Sequence, residues 1–524
     1  MTSQTQSARP KTRESWSSRP AFIIAAISSA IGLGNIWRFP GVAYENGGGA
    51  FLIPYLIALF TAGLPILFLD FAVGHRFRAA PPLALRRITK KLEPLGWWQA
   101  IICFIISSYY AAILAWALCY VWFSLRQSWG DDAATFFAVD FLKATDPGVT
   151  PTVVPAIFIC LAVIWAGIII FAALGLRKGL QLANRITLPA LVVLFLLIVI
   201  YGVTLPGAAD GLNTFFTPSW EALADPTVWI AAYGHIFFSF SIAFGIMLTY
   251  SSYLKKRSDL TGSGVVVAFS NTSFELLAGV GVFAALGFLA NRQATTVAEL
   301  EGITGVGLAF ITFPTLLSEM PGGQIVGVLF FLSLVFAGFT SLLSLMQVVI
   351  GSVADKTGWS TARSAIFSGL ITGALSLVLY STSAGLSILD VVDAFINNVG
   401  VVASAIAMIL ALGWGTKILP TLAAHLNAVS SLHVGRLWSL MIKVVTPAIL
   451  IVIFVTGTWS YIVDGYGGYP TWFIMVAGWA MLGVVAAASL LLSFSRYRRP
   501  FAEDYDPETQ FDLTDTSYHH AKGD

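Results

Sequence analysis

The residues with the clearest chemical potential lie in one short run, Ser28 to Pro40, inside the first apolar segment. Gly32 and Gly34 weaken any helix there. Breaking a helix in lipid frees N–H and C=O groups, which each cost several kcal/mol unless something binds them. Arg38 at that depth costs roughly 2.5–3.5 kcal/mol. Together with Asn35, the run predicts a broken helix whose freed carbonyls hold a cation and whose freed amides hold an anionic group.

The composition of the 524-residue chain indicates a membrane protein. Only 11% of the residues are charged and the mean hydropathy is +0.80, whereas a soluble domain carries about 25% charged residues. The three cysteines lie in apolar stretches, so we expect no disulfide framework. The first 19 residues are polar and basic and lack the apolar core of a secretory signal. We therefore expect an all-α integral membrane protein.

Segments long enough to cross a bilayer need about 20 apolar residues. The chain has about twelve, at 20–42, 50–74, 97–124, 152–174, 179–204, 228–254, 262–290, 323–354, 362–380, 388–412, 438–458 and 469–494. We number them spans 1 to 12. The stretch 300–322 is apolar but contains Gly and Pro, so we expect a re-entrant or capping loop there.

Basic residues orient these spans, because Lys and Arg favour cytoplasmic loops. They cluster in the connections that follow spans 2, 4 and 6, at Arg76, Arg78, Arg86, Arg87, Lys90, Lys91, Arg177, Lys178, Lys255, Lys256 and Arg257. The opposite loops carry acids such as Asp131 and Glu221. We therefore expect a multi-pass protein of the plasma (inner) membrane with both termini in the cytoplasm.

A second interrupted segment lies in span 6, where small and hydroxyl residues cluster between Phe237 and Gly245. Spans 1 and 6 correspond if spans 1–5 and 6–10 are two repeats. Interrupted segments in matching positions indicate a transporter binding site near the bilayer midplane. The alternative is two unrelated kinks that ease helix packing, which leaves Asn35 and Arg38 unexplained.

Four collinear motifs resemble the neurotransmitter:sodium symporter family, especially its bacterial amino-acid transporters. They are residues 32–40, 45–51, 208–212 and 336–341. The resemblance implies sodium-driven uptake and a LeuT-type fold of twelve helices with a five-plus-five inverted repeat. It divides the chain into an N-terminal latch segment (1–19), two repeats (20–204 and 205–412), spans 11 and 12 (413–494) and an acidic cytoplasmic tail (495–524).

The resemblance implies a substrate site at the two breaks. Amides at the start of a half-helix favour an anion, and Tyr110 is expected to donate to the same carboxylate. Amine transporters of the family carry Asp where this chain has Gly32, so an amino-acid substrate is expected. Its ammonium would meet the carbonyls of Ala30 and of the span 6 break. The expected substrate-binding residues are Ala30, Gly32, Leu33, Gly34, Ile106, Tyr110, Phe238, Ser239, Ser241, Phe244, Ser341 and Leu345.

The side-chain pocket formed by these residues is largely apolar and holds no fixed charge, which suits neutral aliphatic amino acids. Ala243 replaces a glycine that is common in the family. Its methyl group is expected to narrow the pocket or stiffen the break, which disfavours a substrate as large as tryptophan.

The resemblance also implies two sodium sites, and sodium prefers hard oxygen ligands. Site 1 would use Ala30, Asn35, Ser239 and Asn271 with the substrate carboxylate, so that sodium and substrate stabilise each other. Site 2 would use the carbonyls of Ser28, Ile31 and Ala337 with the hydroxyls of Thr340 and Ser341. These two hydroxyls could instead bond back to their own helix.

Glu275 lies mid-membrane in span 7, where chloride-dependent relatives carry Ser. We therefore expect no chloride requirement, with proton counter-transport as a further hypothesis. His235 stands where the family usually has Gln. It either takes part in a proton relay or is a hydrogen-bonded core residue, and the second interpretation is preferred.

Gates follow from the same resemblance. Arg38 and Asp393 would close the extracellular side with Phe238 as a lid. The cytoplasmic latch would consist of Arg13, Trp16, Tyr253 and Asp355. Asp70 is expected to brace the broken helices, and the spacing of Gly179 and Pro189 is expected to let span 5 unwind.

Two other functions are compatible with the sequence: proton-driven amino-acid uptake on a related fold, and an amino-acid sensor that no longer transports. The sequence shows no paired nucleophile and base, so we expect no enzyme, and no feature that favours nucleic-acid binding. A homodimer or a small accessory subunit is compatible with the sequence.

Overall fold

A computed structural model describes residues 14–300 and 305–498. In that part of the chain, ten helices are long and apolar enough to cross a membrane, and the bent pair of span 1 is an eleventh. A second interrupted pair forms span 6. The spans are Arg19–Ala30 with Gly34–Glu45, Gly49–Phe77, Lys90–Ser124, Pro155–Ala173, Leu176–Gly202, Pro226–Ser239 with Ile246–Ser251, Leu260–Gln293, Gly323–Thr357, Thr361–Tyr380, Gly385–Gly415, Arg436–Val463 and Thr471–Phe494.

These bounds agree with the all-α membrane fold that was predicted. The largest shift is at span 3, which was expected from residue 97 and begins at Lys90. The helix extends beyond the apolar stretch on which the prediction was based, and its additional first turns carry charged residues. The stretch 300–322 contains the short helix Gly305–Glu319, which is too short to be a span.

Span 1 is broken at residues 31–33. Its first half begins after Ser18, whose hydroxyl accepts from Ala21 N–H, and it ends at Ala30. Ile31 leaves the helix with ψ 98°, and the second half starts at Gly34 with a bend of 54° between the halves. The predicted break therefore lies at the glycines.

Span 6 is interrupted at residues 240–245, between its two helices. The chain turns there through three residues with left-handed backbone, Ser241 (φ 50°), Ala243 (φ 62°) and Gly245 (φ 76°). Only glycine adopts that region without strain. The alanine at position 243 is therefore strained in the break.

Spans 3 and 7 form the centre of the bundle, with 72% and 78% of their apolar windows buried, whereas spans 11 and 12 lie at the periphery with 22% and 28%. We call the end of the bundle that carries Trp16 and residues 78–89 the basic end. The opposite end, with Asp131 and Glu221, is the acidic end.

Asp259 ties three elements together at the basic end. It contacts Arg19 of span 1 (Nη2–Oδ2 3.0 Å) and accepts from Gly262 N–H (3.0 Å) and from the Ser431 hydroxyl (2.7 Å). Burial alone raises the pKa of Asp259, but the hydrogen bonds from Ser431 and Gly262 and the charge of Arg19 outweigh it. The pKa of Asp259 therefore lies below its usual value.

We predict that Ala243→Gly stabilises the protein. A non-glycine residue with left-handed backbone is strained by about 1–3 kcal/mol, and removing the methyl group relieves that strain. Part of the gain is offset by the extra freedom of glycine in the unfolded chain, about 0.4–1 kcal/mol. Thermal unfolding of the purified protein measures the change. Ala232→Gly, in the regular helix before the break, should lower the midpoint, and a lower midpoint for Ala243→Gly as well would contradict the strain.

A second prediction concerns pH. Because the pKa of Asp259 is lowered by folding, its contribution to stability is present above the unfolded pKa and is lost as pH falls through the folded value. The wild type should therefore unfold at a higher temperature than Asp259→Asn near neutral pH, and the difference should shrink below about pH 4. A difference that stays constant from neutral to acidic pH would refute the assignment.

Candidate functional site

A cavity of about 670 Å³ opens between the two breaks and reaches the acidic end of the bundle. Each of the twelve residues expected to bind substrate lines it. It continues past Arg38 and Asp393 to Asp390, Tyr466 and Tyr469. The structure therefore brings the predicted pocket residues together in one space that connects to one end of the protein.

The broken part of span 1 directs backbone amides toward this cavity. Leu33 N–H donates to the Tyr110 hydroxyl at 3.1 Å, and Gly32 N–H donates to Asn35 Oδ1 at 2.9 Å. A Cβ on Gly32 would lie 2.9 Å from Ser341 Oγ, and a Cβ on Gly34 would lie 2.4 Å from the Phe238 ring. The two glycines are therefore needed for close packing as well as for the break.

Two carbonyls of the span 6 break accept hydrogen bonds from side chains outside the cavity lining. The carbonyls of Ala243 and Phe244 accept from Ser404 Oγ (3.3 Å) and Cys103 Sγ (3.1 Å). Phe238 lies at the cavity wall, with the Arg38 guanidinium 4.0 Å from its ring centroid.

The side chains expected at sodium site 1 form a buried chain of hydrogen bonds. Asn35 Nδ2 donates to Asn271 Oδ1 at 2.8 Å, and Asn271 Nδ2 donates to Ser239 Oγ at 2.6 Å. All three are at most 4% exposed. Ala30 lines the same cavity. Both amide oxygens accept hydrogen bonds here, Asn35 Oδ1 from Gly32 N–H and Asn271 Oδ1 from Asn35 Nδ2.

The residues expected at sodium site 2 meet at the contact between spans 1 and 8. Thr340 Oγ1 lies 3.1 Å from the Ser28 carbonyl oxygen, 3.0 Å from that of Ala337 and 3.2 Å from that of Phe336. Its single hydrogen can satisfy only one of them. Two of the three, Phe336 and Ala337, belong to Thr340's own helix, so the alternative of bonding back to that helix stays open, and the Ser28 carbonyl alone joins span 8 to span 1 here. Ser341 Oγ instead donates to the Ser29 carbonyl at 3.3 Å.

Glu275 is fully buried and surrounded by donors. Its Oε1 accepts from Ser239 Oγ (2.6 Å) and His235 Nε2 (2.8 Å), and the Tyr55 hydroxyl donates to Oε2. These contacts connect the Glu275 carboxyl group to spans 2 and 6. His235 Nδ1 has no partner among the described residues. His235 thus has a hydrogen-bonding role, and its part in a proton relay stays a hypothesis.

Sequence reasoning missed Tyr55 and the residues at the mouth of the cavity. Asp390 Oδ1 and Oδ2 accept from the hydroxyls of Tyr466 (2.9 Å) and Tyr469 (3.1 Å). The spacing of Asp390 and Asp393, one helical turn apart, was the available signal for the mouth. A single tyrosine in an apolar span has no comparable signal.

The predicted outer pair, Arg38 and Asp393, lines the cavity without forming an ion pair in the described part of the chain. Arg38 lies over the Phe238 ring, and Asp393 Oδ1 accepts from Asn397 Nδ2 at 2.8 Å. The cavity is therefore open between the two side chains.

Three of the four residues predicted for the latch lie at the basic end, and their role as a latch stays a prediction. Trp16 is 1% exposed, and its Nε1 donates to the Tyr250 carbonyl at 2.9 Å. Its backbone N–H donates to the Tyr253 carbonyl at 3.1 Å. Asp355 Oδ2 accepts from Ala80 N–H at 2.8 Å. Arg13, the fourth predicted latch residue, lies outside the described residues.

Asp70 and Gly179 have surroundings that the sequence did not specify. Asp70 is buried in span 2, which packs against the second half of span 6, and its Oδ2 has no hydrogen-bond partner within 14–300 and 305–498. A bracing role for its side chain therefore stays a prediction. A Cβ on Gly179 would lie 1.8 Å from the Phe171 carbonyl oxygen, so glycine is required at this turn.

Sequence comparison relates the chain to known membrane transporters. Residues 13–140 and 129–498 match the sequence profile of the sodium:neurotransmitter symporter family. A sodium-dependent transporter of Methanocaldococcus jannaschii is 38% identical over 469 residues, which cover 88% of this chain and 94% of that protein. The sodium- and chloride-dependent glycine transporter 2 of Xenopus laevis is 29% identical over 90% of this chain and 68% of its own length.

The sodium- and chloride-dependent GABA transporter 2 of Mus musculus is 32% identical over 66% of this chain and 62% of its own length. The profile match extends over nearly all of the described residues, and the first of these relatives matches almost end to end. The chain belongs to the sodium:neurotransmitter symporter family and is a sodium-coupled membrane transporter, not an enzyme.

Proposed function

We propose that the protein imports neutral, aliphatic amino acids together with sodium across the plasma membrane, by alternating access and with both termini in the cytoplasm. The main support for the proposal is that two groups of residues with different chemistry lie next to each other at the break in span 1. The Leu33 amide and the Tyr110 hydroxyl lie beside the buried Asn35–Asn271–Ser239 cluster. One half suits a carboxylate and the other suits a sodium ion.

The substrate carboxylate would bind at Leu33 N–H and Tyr110, where the half-helix begins. Gly32 leaves no side-chain carboxylate at this point to compete with it. The ammonium group would bind the carbonyls of Ala30 and of the span 6 break. An amino acid with its own carboxylate therefore fits the site better than an amine.

The rest of the pocket selects the side chain. Ile106, Phe238, Phe244 and Leu345 supply apolar surface, while Ser341 supplies only a hydroxyl. A charged side chain would be desolvated there without a partner. The pocket therefore favours neutral aliphatic amino acids.

Coupling would arise because sodium and substrate share ligands. A carboxylate bound at Leu33 can complete the shell of a sodium ion held by Asn35 and Asn271, so each ligand increases the affinity for the other. The second sodium ion would bind at the Thr340 cluster and hold spans 1 and 8 together.

The structure corresponds to a form open at the acidic end, which we place outside the cell. Closure would bring Arg38 to Asp393 above the substrate, with Phe238 as the lid. Opening of the other side would release Trp16 from Tyr250 and Tyr253, whose contacts now seal the basic end.

Glu275 would replace the chloride that the named glycine and GABA transporters require. The carboxylate lies one hydroxyl away from the cation cluster, because Ser239 accepts from Asn271 and donates to Glu275. A fixed negative charge at this distance can balance sodium. Protonation of Glu275 after release would give proton counter-transport on the return step.

Uptake into proteoliposomes tests the proposal. Labelled leucine, alanine, valine or methionine should accumulate with an inward sodium gradient and should not accumulate when choline replaces sodium. Asn35→Ala should weaken sodium activation by about tenfold or more, because a buried ligand to a charged ion is lost. Asn291→Ala, which removes an exposed asparagine in span 7, is the matched control.

Uptake that persists in choline would instead favour proton-driven transport. Absence of uptake for all these amino acids, while sodium and an amino acid still shift thermal unfolding, would favour a sensor.

The chloride hypothesis has its own test. Wild-type uptake should be equal in chloride and gluconate media, whereas Glu275→Ser should need chloride, because a neutral side chain leaves the sodium charge unbalanced. Glu319→Ser, which removes an exposed carboxylate, should behave as the wild type. If Glu275→Ser transported equally well in gluconate, Glu275 would not act as the chloride substitute.

A further inference from the structure

Two of the three cysteines lie side by side, although the function described so far uses neither of them. The Sγ atoms of Cys119 and Cys160 are 3.0 Å apart. Cys119 is buried and Cys160 is partly exposed. Neither side chain lines the cavity between the two breaks. The apolar stretches of the sequence predict no disulfide framework, yet the packing of the spans brings these two thiols into contact.

The pair lies near the acidic end of the bundle. Span 3 ends there at Ser124, and span 4 begins there at Pro155. Cys119 lies five residues before the first of these ends, and Cys160 lies five residues after the second. Each cysteine is therefore about 7.5 Å along its helix from that end. Spans 3 and 4 also pack against each other, so the matching levels place the two thiols opposite one another.

The third cysteine is placed differently. Cys103 is 0% exposed, and its thiol donates to the Phe244 carbonyl at 3.1 Å. It precedes Cys119 by sixteen residues in the same helix, which corresponds to about 24 Å along the axis. Cys103 therefore cannot reach either of the other two sulfur atoms, and it serves as an internal control for their chemistry.

The two thiols of the pair differ in access. The species that attacks a disulfide is a thiolate, and its rate depends on how easily the other molecule reaches it. Cys160 is the more exposed of the two, whereas Cys119 is packed behind it in the central span. A disulfide needs about 2.0 Å between its sulfurs. The two Sγ atoms must therefore approach by about 1 Å, which changes in two side-chain torsions can supply.

We propose that Cys119 and Cys160 are a redox-active pair, which forms a disulfide between spans 3 and 4 when the acidic end faces an oxidising compartment. The oxidant is an organic disulfide. The Cys160 thiolate attacks one of its sulfurs, which gives a mixed disulfide and releases one thiolate. Cys119 loses its proton, attacks the Cys160 sulfur and releases the second. Two protein thiols become one disulfide, and the oxidant takes up two electrons and two protons as two thiols.

This disulfide would join a central span to a peripheral one. The apolar window of span 3 is 72% buried, whereas that of span 4 is 33% buried. The two cysteines are 41 residues apart in the chain, and closing a loop of that length restricts the unfolded protein. Because the pair lies outside the cavity lining, the bond acts on the stability of the outer part of the bundle and leaves the substrate pocket unchanged.

The first experiment looks for the bond directly. The full-length protein is purified in detergent under reducing conditions, freed of reductant, incubated with oxidised glutathione, quenched with acid, unfolded and alkylated. Mass spectrometry of its peptides should show one joined pair, linked through Cys119 and Cys160 and lighter than the two free peptides by two hydrogen atoms. Cys103 should be recovered as the alkylated thiol. Reduction with a phosphine should separate the joined peptides.

Variants test the assignment. Cys103→Ala should form the same joined peptides, whereas Cys160→Ala should form none. Recovery of Cys119 and Cys160 as alkylated thiols after oxidation would overturn the proposal. A bond between the Cys160 residues of two molecules, seen as a dimer on a non-reducing gel, would overturn it as well.

Thermal unfolding tests the effect of the bond. The oxidised wild type should unfold at a midpoint at least about 2 °C above that of the reduced protein, because the unfolded chain is restricted. Cys160→Ala should unfold at the same temperature with and without oxidised glutathione. An unchanged or lower midpoint in the linked wild type would contradict the stabilising role. Neither measurement uses sodium or an amino acid, so the result is independent of the proposed transport function.

Discussion

The structure depends on one constraint: a backbone N–H or C=O group that leaves a helix inside a membrane must find another partner. The two interrupted spans free such groups beside one cavity, and neighbouring side chains supply partners for several of them. Tyr110 and Asn35 accept from amides of the span 1 break, and the Thr340 hydroxyl lies 3.1 Å from the Ser28 carbonyl oxygen. The candidate binding site thus consists of the groups that give the backbone atoms of the breaks their hydrogen-bond partners.

The polar groups around the breaks form one connected network. It runs from Gly32 N–H through Asn35, Asn271 and Ser239 to Glu275, with His235 beyond. Hydrogen bonds in such a buried chain polarise one another. A change in the hydrogen bonding of Gly32 would therefore reach Glu275 in span 7 through a few short contacts.

The sequence predicted the positions of the apolar helices closely, because hydropathy can be read from the local sequence, and ten or eleven of them in the described residues are long enough to cross a membrane. It also located both breaks, through Gly32, Gly34 and the hydroxyl-rich run of span 6. The sequence could not predict which side chains of different spans contact one another. Tyr55 contacts Glu275 because of how spans 2 and 7 pack, which no local pattern records. The guanidinium of Arg38 lies over the Phe238 ring, a contact between spans 1 and 6 that the sequence pattern does not specify.

The Thr340 hydroxyl has one hydrogen to donate, and three carbonyl oxygens lie within hydrogen-bonding distance of it. Two of these carbonyls, Ala337 and Phe336, belong to the same helix as Thr340, whereas the Ser28 carbonyl lies in the last turn before the break in span 1. The hydroxyl therefore both caps the end of the broken half-helix and links span 8 to it. A rearrangement of the break would change the contact between these two spans at the same time.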